Sequence, residues 1–195
     1  MSGDDPFADV WLVRARTGDT SAFAALVRLH QPMVFSLAWR MLSDRHLAED
    51  LAQEVFLQFH RNLQSVDSAG HLRFWLRRVT VNRAIDQLRR KPGHETASLD
   101  ETAAIAAEHS ESDALLQQRL RYLVSQLPAT PRAVMVLRYQ EDLDPKDIAG
   151  MLSMSIHTVK SHLKRSIAIL REQMGEVTPA IQAELAAETQ HRSLT

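Results

Sequence analysis

Five apolar side chains, Leu47, Leu51, Val55, Phe59 and Leu63, stand at every fourth position of one stretch. At 3.6 residues per turn that spacing predicts a helix with a continuous apolar stripe. Glu49, Asp50, Gln53 and Glu54 then fall on its solvent side. A stripe of this kind is stable only when packed against another element, so the chain is committed to helix packing.

The flanking segments carry the same signature. Asp19 and Thr20 are N-cap residue types before Ala22, Phe23, Leu26, Val27 and His30, which recur at helical spacing. Pro32 is expected to open a further helix through Val34, Leu37, Ala38 and Met41. A polar break over residues 64–70 precedes a long basic helix from about His71 to Arg90, which Pro92 and Gly93 end. Ala, Leu, Arg, Gln and Glu are plentiful and alternating β-branched runs are scarce, so the expected class is all-α.

From His94 to Asp113 the character changes. Glu95, Asp100, Glu101, Glu108, Glu111 and Asp113 lie among Ala and Ser with few large apolar residues, which reads as an acidic linker. Helical pattern resumes at about Leu115 and stops at Pro128, and Pro131 is expected to start the next helix. Asp144 is expected as an N-cap with Pro145 at the first helical position. Ser155 is expected to cap a final helix carrying Val159, Leu163, Ile167 and Leu170. The expected limits are a first helical domain at 1–92, a linker at 93–113, a second helical domain at 114–175 and a weakly amphipathic tail at 176–195.

Residues 144–171 have the spacing of a helix-turn-helix. Ile148, Ala149 and Leu152 face inward from the first helix, and Val159 and Leu163 anchor the second. Ala149 is small where the two backbones approach. The turn position usually filled by glycine falls on Ser153, a residue that would have to enter the left-handed region at a cost of ~1 kcal/mol. The second helix exposes His157, Thr158, Lys160, Ser161, Lys164 and Arg165, residue types that reach base edges and phosphates in a major groove.

The helix from His71 carries Arg73, Arg77, Arg78, Arg83, Arg89 and Arg90, with Lys91 following, against one acid, Asp86. Phe74 and Trp75 lie inside this run. Cations for phosphates and aromatics for unstacked bases are what single-strand binding requires. The competing assignment makes Trp75, Leu76, Val79 and Ile85 core residues and the arginines a solvated face.

Other classes find little support. Net charge is −1 and cysteine is absent, which excludes disulfides and thiol chemistry and suits a reducing cytosol. Among nine scattered histidines there is no H-E-x-x-H, and neither G-x-S-x-G nor a glycine-rich phosphate loop occurs. No catalytic residue, metal ligand or cofactor is expected. The N-terminus lacks an apolar signal region, and no apolar run could span a bilayer, so a cytoplasmic location is expected.

Four motifs in order resemble the extracytoplasmic-function sigma factors of the sigma-70 family, and the resemblance covers nearly the whole chain. They are Gly18-Asp19 with Ala22, Phe23 and Leu26; the run Ala48 to Phe56; Leu72 to Arg78 with Asn82, Asp86 and Leu88 to Arg90; and Leu127-Pro128 with Arg132, Asp147 to Ala149 and Thr158 to Ser161. The resemblance implies a region 2 bundle and a region 4 helix-turn-helix domain. It implies that Asp50, Gln53 and Glu54 contact the clamp of the RNA polymerase β′ subunit. Arg73, Trp75, Arg77, Arg78, Asn82, Arg89 and Arg90 would handle the −10 strand, with residues 64–70 capturing a flipped base. His157, Thr158, Lys160, Ser161, Lys164 and Arg165 would read the −35 duplex, and the second domain would touch the β flap. A zinc-independent anti-sigma factor, or another inhibitor, would hold the free protein silent by covering these surfaces. Asp147, His157 and His162 depart from common family residues where bases are read, so the promoter sequence does not transfer. A polymerase-independent helix-turn-helix regulator and a protein-only adaptor are the rivals, and an enzyme comes a distant third.

Overall fold

The computed structural model describes residues 7–90 and 111–192, with side chains over 7–90 and 115–175. Eight helices and one 3-10 turn occur among the described residues: α1 (Ala8–Arg16), α2 (Thr20–Leu42), α3 (Arg45–Arg61), the turn Leu63–Ser65, α4 (Ala69–Arg90), α5 (Glu111–Gln126), α6 (Ala129–Tyr139), α7 (Pro145–Leu152) and α8 (Ile156–Arg192). The all-α expectation is met. Most of the expected acidic linker lies outside the described residues, and positions 111–113 form the first turn of α5.

Local chemistry accounts for the helix starts. Asp19 accepts from the amides of Ser21 and Ala22 and from the Ser21 hydroxyl. That hydroxyl first, then the Ala22 amide and the Arg14 guanidinium, hold its carboxyl well below the usual carboxylate range. Asp44 caps α3 by accepting from Leu47 N at 3.0 Å. Ser68 caps α4, its hydroxyl accepting from His71 N. Asp144 stands where a cap belongs, with Pro145 next, but makes no capping bond and lies 3.8 Å from Arg138 instead.

Pro32 opens no helix: it lies inside the continuous α2, which runs for 23 residues. The ring removes one amide from the ladder. The apolar stripe of Leu26, Val34, Leu37, Ala38 and Met41 is fully buried on either side of it, and that burial outweighs one lost bond. Pro131 likewise falls within the first turn of α6, where its missing N–H has no helical partner to lose. At the C-terminal end, α8 continues through residue 176 to Arg192, so the expected tail begins inside a helix.

In the first half α2 packs against α1, α3 and α4. Phe59, wholly buried, stacks on Phe23 at 5.4 Å and meets Trp75 at 6.1 Å. In the second half α8 packs on α5, α6 and α7. The halves are docked: α6 lies on α2 and α4, and Val134, Leu137, Ile148 and Met151 join the same apolar core as Leu76 and Met41. Arg132, buried in α6, donates to the Met41 carbonyl at 2.7 Å and so caps the C-terminal end of α2 from the other half. Burial pushes that guanidinium down to about 10, leaving it cationic at neutral pH.

Candidate nucleic-acid interface

α3 and α4 enclose an open groove of about 770 Å³. One wall, from α3, presents Asp50, Glu54 and Gln58; the other, from α4, presents Trp75, Arg78, Asn82, Arg83 and Arg90. Helical geometry explains the selection. Positions 75, 78 and 82 are spaced by three and four residues, so they share one face of α4. Trp75 lies half-buried on Phe59 and also lines the groove.

The groove is a place where acids and cations meet. Arg83 donates to Glu54 Oε2 at 2.7 Å and to Gln58 Oε1 at 2.9 Å, bridging the two walls. The bridge is roughly half-exposed, so it contributes little to stability and can be exchanged for another partner. Asp50 is exposed at the α3 rim. Gln53 is separated from Asp50 and Glu54: it faces a second, more apolar groove of about 930 Å³, with Phe23, Phe35, Phe56 and Leu57.

The remaining basic positions of α4 point elsewhere. Arg77 donates through Nε to Glu141 Oε2 at 2.8 Å, and Arg40 lies 3.9 Å from the same carboxylate. The Glu141 side chain is only 8% exposed. Arg89 donates to Thr130 Oγ1 of the second half at 3.1 Å. Arg73 and Arg77 are close enough to His30 to disfavour its charge; burial first and these cations second push that imidazole down to about 4. Thus Trp75, Arg78, Asn82 and Arg90 converge on one groove, while Arg77 and Arg89 are held by the docked half.

In the second half α8 follows α7 across a tight turn. Ser153 adopts φ 53°, the left-handed turn that the spacing required, and α7 and α8 meet across Ala149 and Val159, both buried. His157, Lys160, Lys164 and Arg165 are exposed and Ser161 is half-buried on one face of α8. Thr158 is less available. Its amide donates to Ser155 Oγ, and the two hydroxyls lie 2.8 Å apart, so it closes the helix cap.

Several residues escaped the sequence argument. Ile156, 43% exposed at the start of α8, offers an apolar contact of the kind that reads a thymine methyl; an apolar residue directly after the capping Ser155 was the available signal. Arg83 counted as part of the basic run but not as a site residue. Glu141 gave no signal, because nothing local distinguishes a buried acid from a solvated one.

Comparison with known proteins follows the same division. Residues 26–92 match Sigma-70 region 2, and residues 117–170 match Sigma-70 region 4. The chain is 31% identical over 177 residues to the ECF RNA polymerase sigma factor SigW of Bacillus subtilis, covering 84% of this chain and 95% of that one. It is 30% identical over 165 residues to the ECF RNA polymerase sigma factor SigM of Mycobacterium tuberculosis, covering 84% and 83%. Among solved structures it resembles CnrH in complex with the cytosolic domain of CnrY, with TM-score 0.64, 21% identity and coverage of 87% and 98%. It also resembles the sigma factor RpoE in complex with the anti-sigma factor NepR from Bartonella quintana, with TM-score 0.60, 22% identity and coverage of 78% and 96%. At these identities the structural likeness establishes the fold.

Proposed function

This chain belongs to the ECF RNA polymerase sigma factors, and we propose how its residues divide the work of promoter-specific initiation. Residues 1–92 dock the polymerase and open the −10 region, residues 114–175 engage the −35 duplex, and residues 93–113 connect them. The observation that carries this is the two-walled groove, where Asp50 and Glu54 on α3 oppose Trp75, Arg78, Asn82 and Arg90 on α4.

The α3 wall suits a protein partner: its carboxylates answer basic residues of the β′ clamp, with Gln53 and the neighbouring apolar groove extending the contact. The α4 wall suits an unpaired strand, with guanidiniums on phosphates and Trp75 beneath an unstacked base. Residues 64–70, at the head of α4, receive the flipped base. On α8, His157, Lys160, Ser161, Lys164 and Arg165 enter the major groove with Ile156, and Thr158 fixes the helix start.

The docked arrangement has to open for this work. The −35 and −10 elements are about 25 base pairs apart, or roughly 85 Å of duplex, and two halves sharing one core cannot bridge that distance. Opening releases Arg77 and Arg89 for DNA. An anti-sigma factor, the kind of partner named with one of the solved relatives, silences the chain by holding or covering these surfaces. The chain works in the cytoplasm; no helix among the described residues is long and apolar enough to cross a membrane.

Run-off transcription over genomic fragments, with core polymerase and with or without the purified chain, tests this. New discrete start sites, lost on replacing Asp50 and Glu54 by Ala, are expected. Absence of new transcripts from a folded, inhibitor-free chain would point to a regulator acting without polymerase.

A further inference from the structure

The loop that leads into α4 is fastened to α1 at both ends. At its start Gln64 and Arg16 exchange two bonds: Gln64 Nε2 donates to the Arg16 carbonyl at 2.9 Å, and Arg16 Nε donates to Gln64 Oε1 at 3.3 Å. At its end the amide of Ala69, the first residue of α4, donates to Asp9 Oδ1 at 2.7 Å. Asp9 and Arg16 are seven positions apart on one helix, so the anchor points stand about 10 Å apart along its axis.

Between the anchors the loop has little freedom. Val66 is fully buried, and the 3-10 turn is closed by Ser65 Oγ donating to the Asn62 carbonyl. The Asp67 amide donates to His71 Nδ1 at 3.3 Å. The head of α4 is thus served twice, by its own Ser68 and by a carboxylate from another helix, which the helix dipole favours. Ser65, Asp67 and Ser68 remain exposed as a short polar rim.

We propose that α1 is the template for this loop, and that Asp9 and Gln64 are positioning residues that hold the rim ready for one unstacked base. This rests on the assignment of residues 64–70 to the melted −10 strand. Binding strength is what remains after the ordering of both partners. A loop ordered in advance by α1 carries that cost in folding, so the captured base keeps more of its contact energy. Asp9 acts through one acceptor atom on a backbone amide. An asparagine at that position keeps the acceptor; an alanine does not.

The test uses the full chain on core polymerase at a promoter located by run-off mapping. 2-Aminopurine is placed at each non-template −10 position of a forked duplex in turn, and its fluorescence rises on unstacking. The wild type is expected to raise the signal at one position. Asp9→Ala and Gln64→Ala should weaken fork binding about tenfold and remove that rise, the scale of one charge-assisted or paired bond. Asp9→Asn should keep the rise and lie within about twofold of wild type. Affinity for core polymerase and for a −35 duplex should be unchanged in all three. Gln64 is exposed, so its variant carries the test if Asp9→Ala folds poorly. Wild-type capture by both alanine variants, or losses that track core affinity or Tm, overturns the proposal alone. A wild type that initiates at the promoter with no 2-aminopurine response overturns the loop assignment and the proposal with it.

Discussion

Arg77 of α4 and Glu141, 64 residues apart in the chain, form a 2.8 Å charge-assisted bond that joins the two halves, and Arg40 lies 3.9 Å from the same carboxylate. A basic residue assigned to the −10 strand therefore holds an acid from the half assigned to −35. Glu141→Ala leaves Arg77, only 20% exposed, without its counter-charge, at a cost of roughly 2–3 kcal/mol to the docked state. Small-angle scattering should show a larger radius of gyration for the variant at moderate salt, with helicity unchanged. An unaltered radius would mean that the shared core alone holds the halves together.

His30 makes stability depend on pH. It is 5% exposed, its Nε2 has no hydrogen-bond partner among the described residues, and its pKa is lowered to about 4 by burial and then by Arg73 and Arg77. Between that value and the ordinary 6.5 the unfolded chain binds more protons than the folded one, so stability falls as pH drops through this window. The full loss is on the order of 3 kcal/mol and is complete below the folded-state pKa. His30→Met keeps a similar volume without the titration. Urea unfolding at pH 7.5 and pH 5 should show the variant gaining on wild type at the lower pH. A gap that stays constant would remove His30 from the account.

Ser153 carries its left-handed turn, φ 53° and ψ 45°, without the glycine that the position favours. Ser153→Gly removes the Cβ clash and should stabilise the chain by about 0.5–1 kcal/mol, seen as a higher Tm. A lower Tm would show that unfolded-state entropy outweighs the relieved strain at this turn.

Lys160, Lys164 and Arg165 project from α8 into solvent, and salt separates their roles. Alanine at a phosphate-contacting position should reduce the slope of log affinity against log salt by about 1 and weaken all sequences alike. Alanine at a base-contacting position should relax sequence choice instead, at ~1–3 kcal/mol for the preferred base. Filter binding of −35 duplexes from 50 to 200 mM salt distinguishes the two. Three variants with wild-type affinity and slope would mean that α8 does not read DNA.

Much of this molecule is legible along the chain because its signals are local. The four-residue recurrence from Leu47 to Phe59 makes α3, Asp19 and Ser155 stand at helix starts, and the spacing from Ile148 to Leu163 requires the turn found at Ser153. The same regularity placed Asp50 and Glu54 outward on α3, and Lys160, Lys164 and Arg165 outward on α8. Pro32 was misleading because a proline marks a boundary only where nothing stronger spans it, and the buried stripe of α2 does.

Contacts made across the chain decided everything else. No periodicity indicates that Glu141 closes on Arg77, that Arg132 caps α2 at Met41, or that Asp9 takes the first amide of α4. Each is a polar group whose partner lies 60 to 91 residues away, and its meaning depends on which water it loses and which charge it gains on packing. A residue's helix, and the side of that helix it occupies, follow from near neighbours, since backbone hydrogen bonds close over four residues. Whether an exposed-looking arginine is available to DNA or already paired follows only once two distant helices have been brought within 3 Å.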